Sequence, residues 1–146
     1  MIYRIKGVPK ILGFSYDEKL AEIKMEECGD SIYRFTKCAE YWSLTHYHRS
    51  CIIFDMIRQL IGPLRLLHEA NMVHGDIKPD NICIRRRSDS LIPSVPVPGQ
   101  EYISEFEFTL IDFGIVSKFK IKKGLKVNSS HIGNLMFSTL RGLKQQ

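Results

Sequence analysis

The chain has 146 residues, of which 44% are hydrophobic and 25% are charged, a balance typical of one globular domain and not of a disordered segment. Its net charge of +5 suits phosphate-bearing partners but is more often a solvated basic surface. Apolar runs such as Ile52-Ile53-Phe54 are far shorter than the about 20 residues of a membrane span, and no signal-peptide core is present. We therefore expect neither a membrane nor a nucleic-acid partner.

The first 28 residues predict an antiparallel β-hairpin. Val8–Phe14 is an apolar run interrupted by a proline and a glycine, and Tyr16–Lys19 is predicted to turn. Leu20–Met25 then alternates apolar and charged residues, a period of two that predicts a strand with one face in solvent.

Two helices are predicted next. Asp30 or Ser31 could cap a short helix that ends at Phe35. Residues 50–70 carry apolar side chains at spacings of three and four, which predicts that they share one helix face: Ile53, Ile57, Leu60, Leu64 and Leu67. Gly62-Pro63 interrupts this pattern, and we expect a kink or a break there because an interior proline removes a hydrogen bond.

The second half of the chain predicts two short strands around a loop. Ile82–Ile84 and Phe106–Ile111 are the strands, and the proline-rich residues 85–105 between them are predicted to form a flexible insertion. Lysines concentrate at residues 118–126. They could attract an acidic or prephosphorylated substrate, although a solvated loop explains them equally well.

Two polar segments carry the chemistry. Residues 73–81 read Val-His-Gly-Asp-Ile-Lys-Pro-Asp-Asn and place Asp76, Lys78 and Asn81 on one tight loop, whereas Asp112 opens an Asp-Phe-Gly triplet directly after a predicted strand. One carboxylate can orient a hydroxyl, the lysine can balance the charge of a moving phosphoryl group, and Asn81 with Asp112 can hold Mg²⁺. This inventory predicts phosphoryl transfer.

Both segments resemble the catalytic motifs of protein kinases. The resemblance implies that Asp76 is the catalytic base, that Lys78 contacts phosphate, and that Asn81 and Asp112 bind Mg²⁺. Tyrosine kinases lack a lysine at the position of Lys78, so serine/threonine specificity is favoured and a protein substrate is expected.

The same resemblance implies an ATP site. Met25 would be the gatekeeper and the following four residues the hinge, with backbone groups of Glu26 and Cys28 meeting the adenine edge. Cys83 would form the floor of the adenine pocket, and Ile111 would lie behind the Mg²⁺ ligand.

The implied fold is α+β and protein-kinase-like. Residues 1–28 would form the end of the small-lobe antiparallel sheet with the hinge, and residues 29–146 the first part of the helical large lobe through the activation segment. Within kinases, Gly29, residues 7–10 and residues 133–139 look most like casein kinase I. The glycine of His-Gly-Asp replaces the usual arginine, as in vaccinia-related kinases.

Several expected kinase features are missing from the sequence. The ten glycines never form G-x-G-x-x-G, and no Val-Ala-Ile-Lys-like strand is present. The chain also ends soon after the predicted activation segment. We therefore expect a partial kinase domain with weak or no activity by itself.

Two other functions stay open. A pseudokinase-like module that binds nucleotide or protein would explain the missing phosphate loop. A small-molecule phosphotransferase of the aminoglycoside or choline kinase type would also carry His-Gly-Asp before an asparagine. The four cysteines lie too far apart for a zinc knuckle or a thioredoxin motif, so we expect reduced thiols in an intracellular, cytoplasmic or nuclear protein. The oligomeric state is not predicted.

Overall fold

The computed structural model describes residues 5–87 and 104–118. Their elements follow one another as β1 (Ile11–Tyr16), β2 (Ala21–Met25), β3 (Asp30–Ser31), α1 (Ile32–Phe35), α2 (Ala39–Ser43), α3 (His46–Glu69), β4 (Met72–Val73), a 3₁₀ turn (Pro79–Asn81), β5 (Ile82–Arg86), β6 (Phe106–Leu110) and β7 (Ser117–Lys118). Most of the predicted insertion, most of the lysine cluster and residues 133–139 lie outside the described residues.

The described strands form three small antiparallel sheets, β1–β2, β3–β5–β6 and β4–β7. Helix α3 packs on β6. The predicted α+β class is confirmed, and the arrangement is consistent with part of a protein-kinase-like fold. None of the helices within the described ranges is long and apolar enough to cross a membrane.

The predicted N-terminal hairpin is present, and Asp17 makes its turn. The Asp17 carboxylate accepts hydrogen bonds from the amides of Lys19 and Leu20, each at 2.8 Å. These two amides lower the pKa of Asp17. Because Asp17 forms the turn, strand β1 extends through Tyr16, one residue into the predicted turn.

The apolar face of this hairpin is uncovered. Cross-strand pairing brings Ile11 opposite Met25 and Phe14 opposite Ile23. All four side chains are exposed, Phe14 to 65%. The alternation in β2 therefore exists as predicted, but the expectation that only one face meets solvent is wrong, because no described element packs on the apolar side.

Helix α3 runs without a break through Gly62 and Pro63, so the predicted break there is wrong. Its N-terminus lies at His46, where the Thr45 side chain accepts the amide hydrogen of His48 at 3.2 Å. Pro63 is buried, and a Cβ atom on Gly7 would lie 2.9 Å from its Cγ. The proline ring is thus packed against the N-terminal segment.

The buried face of α3 matches the predicted one only in part. Leu60 is buried and Leu64 packs against the core, but Ile53 and Ile57 are 46% and 49% exposed. Ile52, Asp55 and Pro63 are buried in their place. Strand β6 packs on α3. Because the buried face of the helix includes an aspartate, a search for apolar periodicity does not find it.

One hydrophobic core joins α3 to the central sheet. The side chains of Phe108 and Leu110 on β6 have no exposure, and that of Phe106 has 1%. They pack with residues from both short helices, α3 and β5, namely Phe35, Leu44, Ile52, Leu60, Ile82 and Ile84. The predicted cap of α1 is Ser31, whose hydroxyl accepts the amide of Arg34 at 3.3 Å. This core fixes β6, the strand that leads to Asp112.

Candidate active site

The loop between β4 and β5 gathers three of the predicted site residues. Lys78 Nζ donates to Asp76 Oδ2 at 2.6 Å. Asn81 Nδ2 donates to the same carboxylate oxygen and to the Asp76 carbonyl, both at 2.9 Å. Two donors from a single loop therefore orient the Asp76 carboxylate, and charge-assisted bonds of this kind are the stronger class of hydrogen bond.

His74 holds this loop against the segment that contains Asp112. Its side chain is 1% exposed, its Nδ1 accepts the Asp76 amide at 3.3 Å, and its Nε2 lies 3.0 Å from the carbonyl oxygen of Ile111. Because Nδ1 accepts, the proton of the neutral ring is on Nε2, which donates to that carbonyl. The sequence interpretation gave His74 no role, although it opens the His-Gly-Asp motif.

Asp112 follows directly from this anchored segment. The amide of Ile111 donates to the carbonyl of Asn81 at 2.9 Å. Asp112 itself has a φ angle of +61°, a left-handed conformation that aspartate tolerates better than most residues. Its Oδ1 accepts the Gly114 amide at 3.3 Å, and the residue is exposed. The carboxylate thus faces solvent beside the Asp76 loop.

The electrostatics of Lys78 connect these groups. The hydrogen bond to Asp76 raises the pKa of Lys78 most strongly, and burial acts in the opposite direction. The charges of Asp76, Asp80 and Asp112 raise it further. One ammonium group therefore interacts with carboxylates from both predicted motifs, and Lys78 is protonated at neutral pH.

Asn81 and Asp112 suit Mg²⁺ in their chemistry. Because Asn81 Nδ2 is committed to Asp76, its Oδ1 is the side-chain atom left to meet a cation. Mg²⁺ is usually held by one or two carboxylates together with substrate phosphates and water, without a full protein cage. The described residues contain no cluster of three His, Cys, Asp or Glu side chains that could hold a metal ion.

Gly75 allows the loop to meet the chain that follows Asp112. Its φ angle is +82°, and a Cβ atom there would lie 3.3 Å from the carbonyl oxygen of Ile115. Val73 pairs with Ser117 in the β4–β7 ladder. Backbone pairing therefore holds the chain beyond the Asp-Phe-Gly triplet to β4, the strand that leads into the Asp76 loop.

The predicted hinge is tied to Lys10, the residue that precedes β1. The Glu26 amide donates to the Lys10 carbonyl, and the Lys10 amide donates to the Glu26 carboxylate, both at 2.9 Å. The Cys28 thiol donates to the Glu26 carbonyl at 3.3 Å. The Glu26 amide and carbonyl are thus both hydrogen-bonded within the chain.

Two predicted adenine-site residues lie close together. Burial raises the pKa of both the Cys28 and the Cys83 thiol. The Cys28 side chain contacts Thr109, and Cys28 also raises the pKa of Cys83. Thr109 pairs with Cys83 across β5 and β6. The other two predicted residues are less enclosed, since Met25 is 42% exposed at the end of β2 and Ile111 is half-buried.

Three curated proteins are similar in sequence to the chain, whereas no protein-family profile matches it. A non-specific serine/threonine protein kinase of Drosophila melanogaster is 29% identical over 98% of this chain and 18% of its own length. The dual specificity tyrosine-phosphorylation-regulated kinase 2 of the same species is 25% identical over 85% of this chain and 17% of its own length. The DNA damage response protein kinase DUN1 of Saccharomyces cerevisiae is 35% identical over 41% of this chain and 12% of its own length.

The chain thus spans less than a fifth of each of these relatives, between 12% and 18% of their lengths. The similarities do not single out casein kinase I, so that part of the resemblance stays a prediction. All three relatives are named as protein kinases, one of them as a serine/threonine kinase and one as a dual specificity kinase. Together with the loop geometry, these similarities support a place for the chain in the protein kinase superfamily.

Proposed function

We propose that this chain carries the catalytic loop and Mg²⁺ ligands of a serine/threonine protein kinase. The observation that carries the proposal is the junction of the two motifs. Lys78 and Asn81 orient the Asp76 carboxylate, and both backbone groups of Ile111 bond to the same loop immediately before Asp112. Phosphoryl transfer depends mainly on such positioning and on charge stabilisation.

The chain's own residues divide the work. Asp76 orients the substrate hydroxyl and accepts its proton. Lys78 neutralises charge that develops on the transferred group. Asn81 and Asp112 hold Mg²⁺, and the hinge near Glu26 and Cys28 receives the adenine edge, with Cys83 beneath it and Met25 and Ile111 at its borders. Bound Mg-ATP supplies the phosphoryl group and the divalent charge.

The finer assignment follows the sequence resemblance. We propose a casein kinase I-like enzyme that prefers acidic or prephosphorylated proteins, because the basic excess of the chain favours such substrates. All four cysteines are unpaired, three of them half-buried and one buried. Free thiols suit a reducing intracellular compartment, cytoplasmic or nuclear.

The test is a radiolabelled-ATP assay on the native protein that contains these residues and, in parallel, on the 146-residue chain. We expect Mg²⁺-dependent transfer to serine or threonine of an acidic peptide by the native protein, and weak transfer by the chain. Asp112→Ala should reduce the native rate at least about 100-fold, as removal of one preorganised charge partner does. Glu18→Ala, an exposed carboxylate in the hairpin turn, is the matched control.

Three outcomes would contradict the proposal. If phosphoryl transfer persisted at the native rate in Asp112→Ala, Asp112 would not be a Mg²⁺ ligand. Tight Mg-ATP binding without transfer by the native protein would favour the nucleotide-binding module instead. Transfer to an aminoglycoside or choline, with none to peptides, would indicate a small-molecule phosphotransferase.

A further inference from the structure

Strand β6 has a different partner on each edge. One edge pairs with β5 along its whole length, from Phe106 opposite Arg86 to Leu110 opposite Ile82. The other edge meets a side chain and a loop. An edge strand normally leaves a row of unpaired amide and carbonyl groups, so these contacts decide how firmly β6 is held.

The side-chain amide of Gln59 bonds to this edge of β6 as a peptide group of a neighbouring strand would. Its Nε2 donates to the Phe106 carbonyl at 2.9 Å, and its Oε1 accepts the Phe108 amide at 3.3 Å. Further along the same edge, the Leu110 amide donates to the Gly7 carbonyl at 2.8 Å. Three outward-facing backbone groups of β6 are thereby satisfied, two of them by one residue of α3.

A buried carboxylate fixes the orientation of that amide. Asp55 is 3% exposed, and its carboxylate accepts Gln59 Nε2 at 3.1 Å, Arg58 Nη2 at 2.8 Å and the hydroxyl of Ser104. A flipped Gln59 amide would bring its oxygen against both Asp55 and the Phe106 carbonyl. The nitrogen must therefore face Asp55, which leaves the oxygen for the Phe108 amide.

The strand held in this way leads directly to the Mg²⁺ ligand. Only Ile111 separates Leu110, the last residue of β6, from Asp112. A slip of the strand by one residue would turn every side chain to the opposite face and would displace Asp112 from Asn81. The amide of Gln59 bonds to the strand at two points and so resists that slip.

We propose that Gln59 is a positioning residue for the Mg²⁺ site: through Phe106 and Phe108 it sets the register of β6 and thus the place of Asp112. The inference rests on the proposed function, because it assigns Asp112 to the metal. Gln59 touches neither metal nor nucleotide. Substitution of Gln59 should raise the Mg²⁺ concentration needed to strengthen ATP binding, while ATP binding in the absence of Mg²⁺ stays unchanged.

The experiment titrates Mg²⁺ into the native protein at fixed ATP and measures nucleotide binding by calorimetry. Gln59→Met keeps the side-chain volume and removes both hydrogen bonds to β6. We expect it to raise the Mg²⁺ concentration at half-effect about tenfold, the lower end of what losing an outer-shell partner costs. Gln59→Glu keeps the acceptor for Phe108 but places its second carboxylate oxygen against Asp55 and the Phe106 carbonyl, so its midpoint should rise at least as far as that of Gln59→Met. Gln59→Leu, which removes the same two hydrogen bonds with a shorter apolar side chain, serves if the methionine variant does not fold.

Ile52→Val is the matched control. Ile52 lies on the same helix and in the same core, so its substitution lowers stability without changing the hydrogen bonds at the edge of β6. The Mg²⁺ midpoint of Ile52→Val should therefore equal that of the wild type. An unchanged midpoint in folded Gln59→Met or Gln59→Glu would overturn the proposal, as would an equal rise in Ile52→Val.

A second readout separates this inference from the proposed function. Hydrogen exchange of the Ile111 amide, which bonds to Asn81, should quicken in Gln59→Met relative to Ile52→Val, with or without nucleotide. If the wild type shows no Mg-ATP binding, the proposed function fails while the exchange comparison still decides whether Gln59 holds the strand. Equal exchange in the two variants would show that it does not.

Discussion

His74 Nε2 donates to the carbonyl of Ile111 at 3.0 Å, across 37 residues of sequence. The amide of Ile111 meanwhile donates to Asn81 at 2.9 Å, so both backbone polar groups of one residue are bound to the loop that carries Asp76. Two hydrogen bonds therefore join the end of β6 to the Asp76 loop. We expect these two bonds to fix the backbone that precedes Asp112 relative to the Asp76 loop.

His74→Phe tests this relation. Phenylalanine fills a similar volume and keeps the edge-on contact with Phe113, whose ring lies 5.0 Å away, but it leaves the Ile111 carbonyl and the Asp76 amide without partners. Each buried group left unsatisfied costs about 1–3 kcal/mol, so we expect the free energy of unfolding in urea to fall by about that amount or more. His46→Phe, on an exposed position, should change it by less than about 0.5 kcal/mol. Equal effects of the two substitutions would contradict a bridging role for His74.

Replacing Gly75 or Gly62 with alanine should change the stability of the fold in opposite directions. Gly75 has a φ angle of +82° and lies against Ile115, whereas Gly62 lies inside α3 with no atom within 4 Å of a Cβ position. Gly75→Ala should destabilise the fold by about 1–2 kcal/mol because the left-handed conformation penalises a side chain. Gly62→Ala should stabilise it by about 0.5–1 kcal/mol because alanine loses less entropy in a helix. Thermal unfolding of both variants measures the two signs, and stabilisation by Gly75→Ala would show that the loop conformation is not required.

Local signals predicted the hairpin, the cap of α1, the long helix and the two paired strands. The alternation of Leu20–Met25, the hydroxyl of Ser31 and the spacing within residues 50–70 each act over a few neighbours. The loop that joins Asp76, Lys78 and Asn81 was predictable for the same reason, since nine consecutive residues contain it. Such features depend little on the rest of the fold.

Long-range contacts explain what the sequence did not predict. The unbroken course of α3 past Pro63 depends on packing against Gly7, which is 56 positions earlier in the chain. The buried face of α3 is centred on Asp55, whose burial requires Gln59 and Ser104 as partners. A polar residue in the core cannot be recognised from hydrophobic spacing alone. The exposed face of the hairpin was missed because alternation shows which residues share a face and not what covers it.

The Lys78–Asp76 pair predicts a pH dependence at the alkaline end. Asp76 raises the pKa of Lys78 in the folded state, so the stabilisation is fully present below the unfolded lysine pKa of about 10.4 and is lost as pH rises through the higher folded pKa. We expect the urea midpoint of the wild type to exceed that of Lys78→Met from neutral pH to about pH 10, and the difference to shrink above it. Lys24→Met, on the exposed strand β2, should show a small difference at every pH. A difference that grows with pH would contradict the pairing.

Phe14 and Phe108 offer the sharpest contrast in burial. Phe14 is 65% exposed on the hairpin, and Phe108 has no exposure at the centre of the core. Phe108→Ala removes the side chain around which α3 and β6 pack, so we expect a loss of about 3–5 kcal/mol in unfolding free energy, the usual range for a buried phenylalanine. Phe14→Ala loses the ring contact with Tyr16, whose centroid lies 5.8 Å away, and the exposed pairing with Ile23, and should cost less than about 1 kcal/mol. Chemical unfolding of the two variants in the native protein decides whether the hairpin face is open there. If Phe14→Ala lowered the free energy of unfolding nearly as much as Phe108→Ala, the apolar face of the hairpin would be covered in the native protein, because an exposed side chain makes too few contacts for so large a loss.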